Sequence, residues 1–250
     1  MSLSFLCNDL SKCSGINKDT ATSFLLDDFA DMSMESVYVM DFLKRKFCYV
    51  PDNNFLLNGY SVEEVISLGY EFYKLVIHKD DYPLVLNIYK EILLRLRHRK
   101  KNEKIRYFSF YLRIRNGSDY VMIYNKIKPV FVSGKFRFGI CMLSSSIASK
   151  AGDLRLYFKN SAEYEKYLPS EKRWQKKKEQ HLTPREKRIL KLAIQGHKGY
   201  AIADAVGLSH QALRSALSTI YRKLNVQSLV QAIIYTLNHR LLLSPDPSSK

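Results

Sequence analysis

The 250-residue sequence holds one tryptophan, four cysteines and only 24 acidic residues against 40 lysines and arginines. Each scarcity excludes something. Cys7, Cys13, Cys48 and Cys141 form no C-x-x-C pair, and no His/Cys cluster has zinc spacing, so neither a disulfide framework nor a metal site is expected. Reduced thiols in a cytoplasmic protein are the simplest reading. No P-loop, G-x-S-x-G or H-E-x-x-H motif occurs. The paired acids Asp27-Asp28 and Glu63-Glu64 sit naturally at helix starts, so an enzyme is not expected. His78 and His98 stand alone and give no haem signal, and no cofactor is expected. No run is long and apolar enough to span a bilayer, and the opening MSLSFLCNDLSK lacks the basic start and apolar stretch of a signal peptide. The expectation is a cytoplasmic protein without a membrane partner.

What is present is a core-forming composition and positive charge. Hydrophobic residues make up 46% of the chain, enough for packed domains, and the formal charge is +16. Residues 171–250 carry 15 basic and 5 acidic residues, so most of the excess lies in the last third. Such a balance favours an anionic partner, nucleic acid ahead of a membrane surface.

Residues 1–35 read as a leader in which Ser23–Phe29 suggests a short amphipathic helix. From Ser36 the pattern turns β-like. Val37–Phe42 and Phe47–Val50 flank the polar turn Lys44-Arg45-Lys46, a hairpin candidate. Ser61 with Glu64 three residues on is a capping box. A longer helix should begin after Asp80-Asp81, with Pro83 in its first turn and an apolar stripe of Leu84, Ile88, Ile92 and Leu96, joined by Leu86 and Leu93. Three strand-like runs follow, Tyr107–Ile114, Tyr120–Val132 and Phe136–Leu143, separated by the turn dipeptides Asn116-Gly117 and Ser133-Gly134. The basic cluster Arg95, Arg97, Arg99, Lys100, Lys101, Lys104 and Arg106 reads as an exposed helix end.

This order, two strands, helices, then three antiparallel strands, predicts an α+β domain with a five-stranded antiparallel sheet. With Asn58–Glu64, similar to a "GYSxEE" segment, and His78–Asp81, similar to "HPDD", residues 36–146 resemble a PAS domain. Lys79 replaces the usual proline. The resemblance implies a sensor or dimerisation module, with a small ligand as a candidate partner. Residues 147–180 read as a linker in which Leu154–Phe158 is a candidate strand and the lysines 176–178 a solvated or phosphate-facing run.

The C-terminal segment is the most informative. Thr183 is placed as an N-cap, Pro184 at the first helical position and Glu186 at the third, a capping box with proline where its missing N–H costs nothing. The first helix runs to about Gln195, with Gly196 as its stop. A short second helix spans about Tyr200–Val206, and Ser209 caps a third. In that third helix Leu213, Ala216, Leu217, Ile220 and Leu224 form a buried stripe opposite Gln211, Arg214, Ser215, Ser218 and Arg222. A basic, hydroxyl-bearing face on a capped helix after a tight turn suits the recognition helix of a helix-turn-helix. Ser228 caps a fourth helix, with Gln231 at its box position. Its apolar Leu229, Ile233, Ile234 and Leu237 exceed what a small core needs and suggest a homodimer contact.

On Leu182–Glu186, Ile189-Leu190, Gly196, Ile202-Ala203, Leu208-Ser209, Ile220–Leu224 and Val226, residues 181–243 resemble a LuxR-type (GerE-like) four-helix DNA-binding domain, followed by a tail at 244–250. The resemblance implies base-reading positions at Arg214, Ser215 and Ser218. It implies phosphate contacts from Lys198, Ser209, Gln211, Arg222 and Lys223. Alanine at 201, 212 and 216 departs from the family's usual Glu, Thr and His. The expectation is a transcription regulator that binds double-stranded DNA as a dimer. The competing reading is a ligand-sensing or protein-interaction module whose basic end binds nucleic acid loosely.

Overall fold

A computed structural model describes residues 21–33, 35–100, 102–178, 181–239 and 241–242, with side chains of 21–25 excluded. Cys7, Cys13, Lys101 and the 244–250 tail fall outside these residues. The chain divides into two compact units, Met1–Lys177 and Lys178–Lys250.

The first unit is built on one antiparallel sheet. Helix α1 (Ala21–Met32) precedes the hairpin β1 (Ser36–Asp41) and β2 (Lys46–Tyr49), where the β-branched and aromatic residues around the polar turn 44–46 placed it. A 3-10 turn (Phe55–Leu57), α2 (Val62–Leu68), a second 3-10 turn (Gly69–Glu71) and α3 (Phe72–Val76) lead to the long α4 (Tyr82–Arg97). The strands β3 (Ile105–Asn116), β4 (Asp119–Val132) and β5 (Lys135–Ser145) follow. The Ser61 capping box forms as the spacing predicts: Glu64 N–H donates to Ser61 Oγ at 3.2 Å and Ser61 N–H to Glu64 Oε2 at 2.7 Å.

The sheet has eight strands, not five. Three more, β6 (Gly152–Phe158), β7 (Glu163–Leu168) and β8 (Arg173–Lys178), occupy the stretch expected to be a linker, in the order β2-β1-β5-β4-β3-β6-β7-β8. β6 pairs with β3 and brings Leu154 and Leu156 into the core. β7 and β8 carry no strand signal in the sequence because their residues, EYEKYL and RWQKKK, are charge-rich, and both strands are only partly buried. That composition suits strands near a sheet edge, where lysines oppose pairing with another chain.

One face of the sheet packs against the helices in an aromatic-rich core that includes Phe42, Phe47, Phe72, Tyr73, Tyr89 and Phe110. The Tyr38 and Tyr73 hydroxyls meet there at 3.1 Å, and burial pushes both groups well above the ordinary tyrosine range, so they act as neutral hydrogen-bonding groups. α1 covers part of the opposite face through Leu26, packed with Val39, Tyr49 and Phe138. Tyr49 Oη donates to Asp27 at 2.7 Å. This second cover explains why β1 is buried on both faces.

Two readings of the long helix change. Its stripe is Val85, Ile88, Tyr89, Ile92 and Leu96, while Leu86 is 41% exposed. That set keeps the i, i+3, i+4, i+7 helical period, which the expected Leu86 does not. Asp81 stands at the cap position but makes no side-chain cap bond. Its buried carboxylate instead accepts three hydrogen bonds from Arg113 of β3: from the backbone N–H at 2.8 Å, from Nε at 3.0 Å and from Nη2 at 2.6 Å. His78 N–H bonds Arg113 C=O at 3.1 Å, completing the tie between helix start and strand. Arg95 also leaves the expected solvated cluster. It is mostly buried and pairs with Glu103 and, at 2.9 Å, with Glu165 of β7.

Burial alone would raise the Asp81 carboxyl, but the hydrogen bonds and charge of Arg113 hold it below its ordinary value of 3.8. A depressed folded-state value stabilises the fold above the unfolded value, and the contribution is lost as pH falls through the folded one. Arg113→Met, which keeps only the backbone bond, should cost about 2–3 kcal/mol near pH 7. Urea unfolding across pH should show this gap constant down to about pH 5 and closing below about pH 4. A gap independent of pH would separate it from Asp81.

Candidate nucleic-acid interface

The second unit consists of α5 (Pro184–Ile194), α6 (Gly199–Val206), α7 (His210–Leu224) and α8 (Leu229–Asn238) around a core that includes Leu182, Ile189, Leu190, Ile202, Leu213 and Ile220. The N-terminal box closes as its spacing requires. Glu186 N–H donates to Thr183 Oγ1 at 3.2 Å, and Thr183 N–H donates to Glu186 Oε2 at 2.8 Å. Gly196 ends the first helix with φ +84°, a conformation that favours glycine.

Glu186 does more than cap. It is only 8% exposed, and Lys223 Nζ donates to its two carboxylate oxygens at 2.9 and 2.8 Å. Lys223 lies in the last turn of α7, where a cation also suits the helix dipole. Its ammonium therefore ties α7 to the start of α5. The ion pair holds the last turn of α7 against the first turn of α5.

The other expected contacts stand outward. Arg214, Ser215 and Ser218 are exposed on α7, opposite the buried Leu213, Ile220 and Leu224. Ala216 and Leu217 are half-buried against the same core. Lys198, Gln211 and Arg222 are exposed, and among the described residues Lys198, Arg214 and Arg222 have no ion-pair partner. Two hydroxyls are partly committed. Ser209 Oγ accepts the Ala212 N–H at 3.1 Å as the α7 cap, leaving its own O–H available, whereas Ser215 Oγ donates to Gln211 C=O at 3.3 Å. Of the three alanine departures, Ala201 is exposed and Ala212 and Ala216 are half-buried.

One pairing has no signal in the hydrophobic pattern. The Tyr200 ring of α6 stacks on His210, the first residue of α7, with centroids 4.4 Å apart and planes 18° apart, while Tyr200 remains 73% exposed. A Cβ on Gly199 would stand 3.4 Å from His210 Nε2, in ordinary contact with the stacked ring. In α8, Gln231 N–H donates to Ser228 Oγ at 3.2 Å, but Gln231 Oε1 accepts from Gln227 N–H at 2.8 Å and not from Ser228, so the expected box is half-formed. Val230 and Leu237 are exposed on this helix, at 65% and 54%.

Residues 180–236 match the family model described as bacterial regulatory proteins, luxR family. The match places a LuxR-type helix-turn-helix DNA-binding domain in the second unit. The response regulator protein VraR of Staphylococcus aureus is 38% identical over 61 residues, which is 24% of this chain and 29% of VraR. VraR of Staphylococcus epidermidis matches with the same figures. The chain thus spans about 29% of the length of the curated relatives it matches. Among solved structures, VqmA bound to DPO is similar at a TM-score of 0.35 and 16% identity, covering 90% of this chain and 91% of that one. The Vibrio cholerae VqmA dimer in the absence of target DNA has a TM-score of 0.36 and 16% identity, covering 92% of each chain.

Because both groups act through Glu186, Thr183→Ala and Lys223→Met should not add. Each alone should destabilise the second unit, by about 1 kcal/mol for the cap and about 2–3 kcal/mol for the ammonium. The double variant should differ from the sum of the two by at least about 0.5 kcal/mol in chemical denaturation of the full chain. Strict additivity would mean that cap and ion pair are independent.

Proposed function

We propose that this chain is a sequence-specific regulator of transcription that binds double-stranded DNA as a homodimer through the LuxR-type domain at 181–243. α7 enters the major groove, Arg214, Ser215 and Ser218 meet base edges, and Lys198, Ser209, Gln211 and Arg222 meet the flanking phosphates. The observation that carries this reading is the division of labour on α7. Its apolar stripe and Lys223 are committed to the domain core, while its opposite face presents an unpaired arginine and two exposed serines. Arginine suits guanine O6 and N7, and a serine hydroxyl serves several bases.

The first unit is read as a PAS-like module, residues 36–146, that senses a signal or brings two copies together. The contiguous β2-β1-β5-β4-β3 order, with all its helices between β2 and β3, supports that reading. The exposed Val230 and Leu237 support a second contact between copies at α8.

Selection from fragmented genomic DNA, followed by anisotropy titration across salt, tests the proposal. The full chain should enrich discrete sites. Arg214→Ala should lose about 1–3 kcal/mol at such a site and relax its preference at one base position. Lys198→Gln should weaken all sequences alike and flatten the slope of log K against log salt by about 1. Absence of any enriched site, or an Arg214→Ala variant that distinguishes sites as well as the parent, would overturn the assignment.

A further inference from the structure

The first unit holds a cavity of about 690 Å³ between α4 and the β6–β7 pair, on the part of the sheet that lies beyond the PAS-like segment. Its size falls within the roughly 300–1,000 Å³ of small-molecule sites. We propose that it binds an amphipathic anion, a small molecule with an apolar body and a carboxylate or phosphate head.

The inner wall supplies the apolar part. Ile88 of α4 and Leu154 of β6 are buried, and Leu84 and Leu168 flank them. Gly152 lies in the same wall with φ +100°, and a Cβ there would stand 3.5 Å from Leu84 Cδ2. Glycine thus leaves open the space that a side chain would enter. Asp153 and Lys172, also in the lining, hold left-handed backbone angles of φ +58° and +47°. Such conformations cost energy in residues other than glycine and concentrate at functional sites.

The polar lining decides the sign of the ligand. Lys90, Lys150 and Lys172 are exposed at the mouth and have no ion-pair partner among the described residues. Of the two acids of the lining, Asp153 is already engaged by cations. Asp153 is held by Lys166 at 2.7 Å and by Arg155 Nε at 2.9 Å; burial alone would raise its carboxyl, but these two cations keep it below the ordinary range. Glu91 lies near the Tyr167 hydroxyl, which burial first and the Glu91 charge second push above the ordinary tyrosine range. What remains for an occupant is three uncommitted ammonium groups against the one carboxylate of Glu91, a positive balance over an apolar floor. A neutral apolar ligand would leave them unused, and a cation would be repelled.

The site carries its own reporter. Tyr167 lines the cavity, and its ring lies 5.3 Å from Trp174, the single tryptophan of the chain. The whole 250-residue chain is titrated with dodecanoate and dodecyl phosphate below their micellar concentrations, by calorimetry and Trp174 emission. Dodecanol and dodecyltrimethylammonium serve as head-group controls. Both anions should bind at one site, at least about tenfold more tightly than the alcohol, with a change in Trp174 emission and no binding of the cation. The tighter of the two identifies the head group. The triple variant Lys90→Gln, Lys150→Gln, Lys172→Gln should lose that preference without a lower melting temperature. A control triple, Lys79→Gln, Lys135→Gln, Lys159→Gln, has the same change in net charge and should retain it. Ala151→Phe, which fills the lining, should abolish binding of anion and alcohol alike. Equal binding of anion and alcohol, an equal loss in the control triple, or no binding at all would overturn the proposal. These outcomes are independent of DNA binding, which is measured separately.

Discussion

The Glu186 carboxylate receives the backbone N–H of Thr183 and the Lys223 ammonium together. Through these bonds one nearly buried side chain fixes where α5 begins and where the last turn of α7 lies. Helices of eight to fifteen residues are marginal on their own, so their orientation must come from tertiary ties of this kind. The exposed face of α7 has a defined direction only because its other face and its final lysine are spoken for. An unpaired carboxylate at the same depth would be costly, so the tie is also a requirement on whatever residue faces it.

The two units use the same device at different scales. In the first, Asp81 joins the start of α4 to β3 through Arg113, and Arg95 near the other end of α4 reaches Glu103 and Glu165. A helix pinned at both ends by charge-assisted bonds presents Val85, Ile88 and Ile92 to the sheet at a fixed height. The cavity between α4 and the β6–β7 pair inherits its shape from that placement.

What the sequence disclosed was local. Caps at Ser61, Thr183, Ser209 and Ser228, the Gly196 stop and the α7 stripe are each written within a few neighbouring residues, and each appears in the structure. The exposed positions of Arg214, Ser215 and Ser218 followed from the same helical period. What stayed hidden was non-local. Lys223 and Glu186 are 37 positions apart, and Arg95 and Glu165 are 70 apart. On sequence alone these groups look like ordinary surface charges. The last two strands, β7 and β8, were obscured for a related reason: they join the sheet through β6, and edge strands carry too much charge to show the alternation of a half-buried strand, whereas β6 itself was legible at Leu154–Phe158.

The position of β6 beside β3 has a practical meaning for anyone dividing the chain. A fragment cut at the apparent domain end near residue 146 would remove β6 from β3 and bare a twelve-residue strand whose Phe108 and Phe110 lie in the core. Its free N–H and C=O groups would become a template for pairing between copies. In the intact chain that edge is instead closed by a β8 bearing Lys176, Lys177 and Lys178, whose like charges discourage sheet-to-sheet growth. The strands that look dispensable in the sequence are the ones that keep the sheet from aggregating.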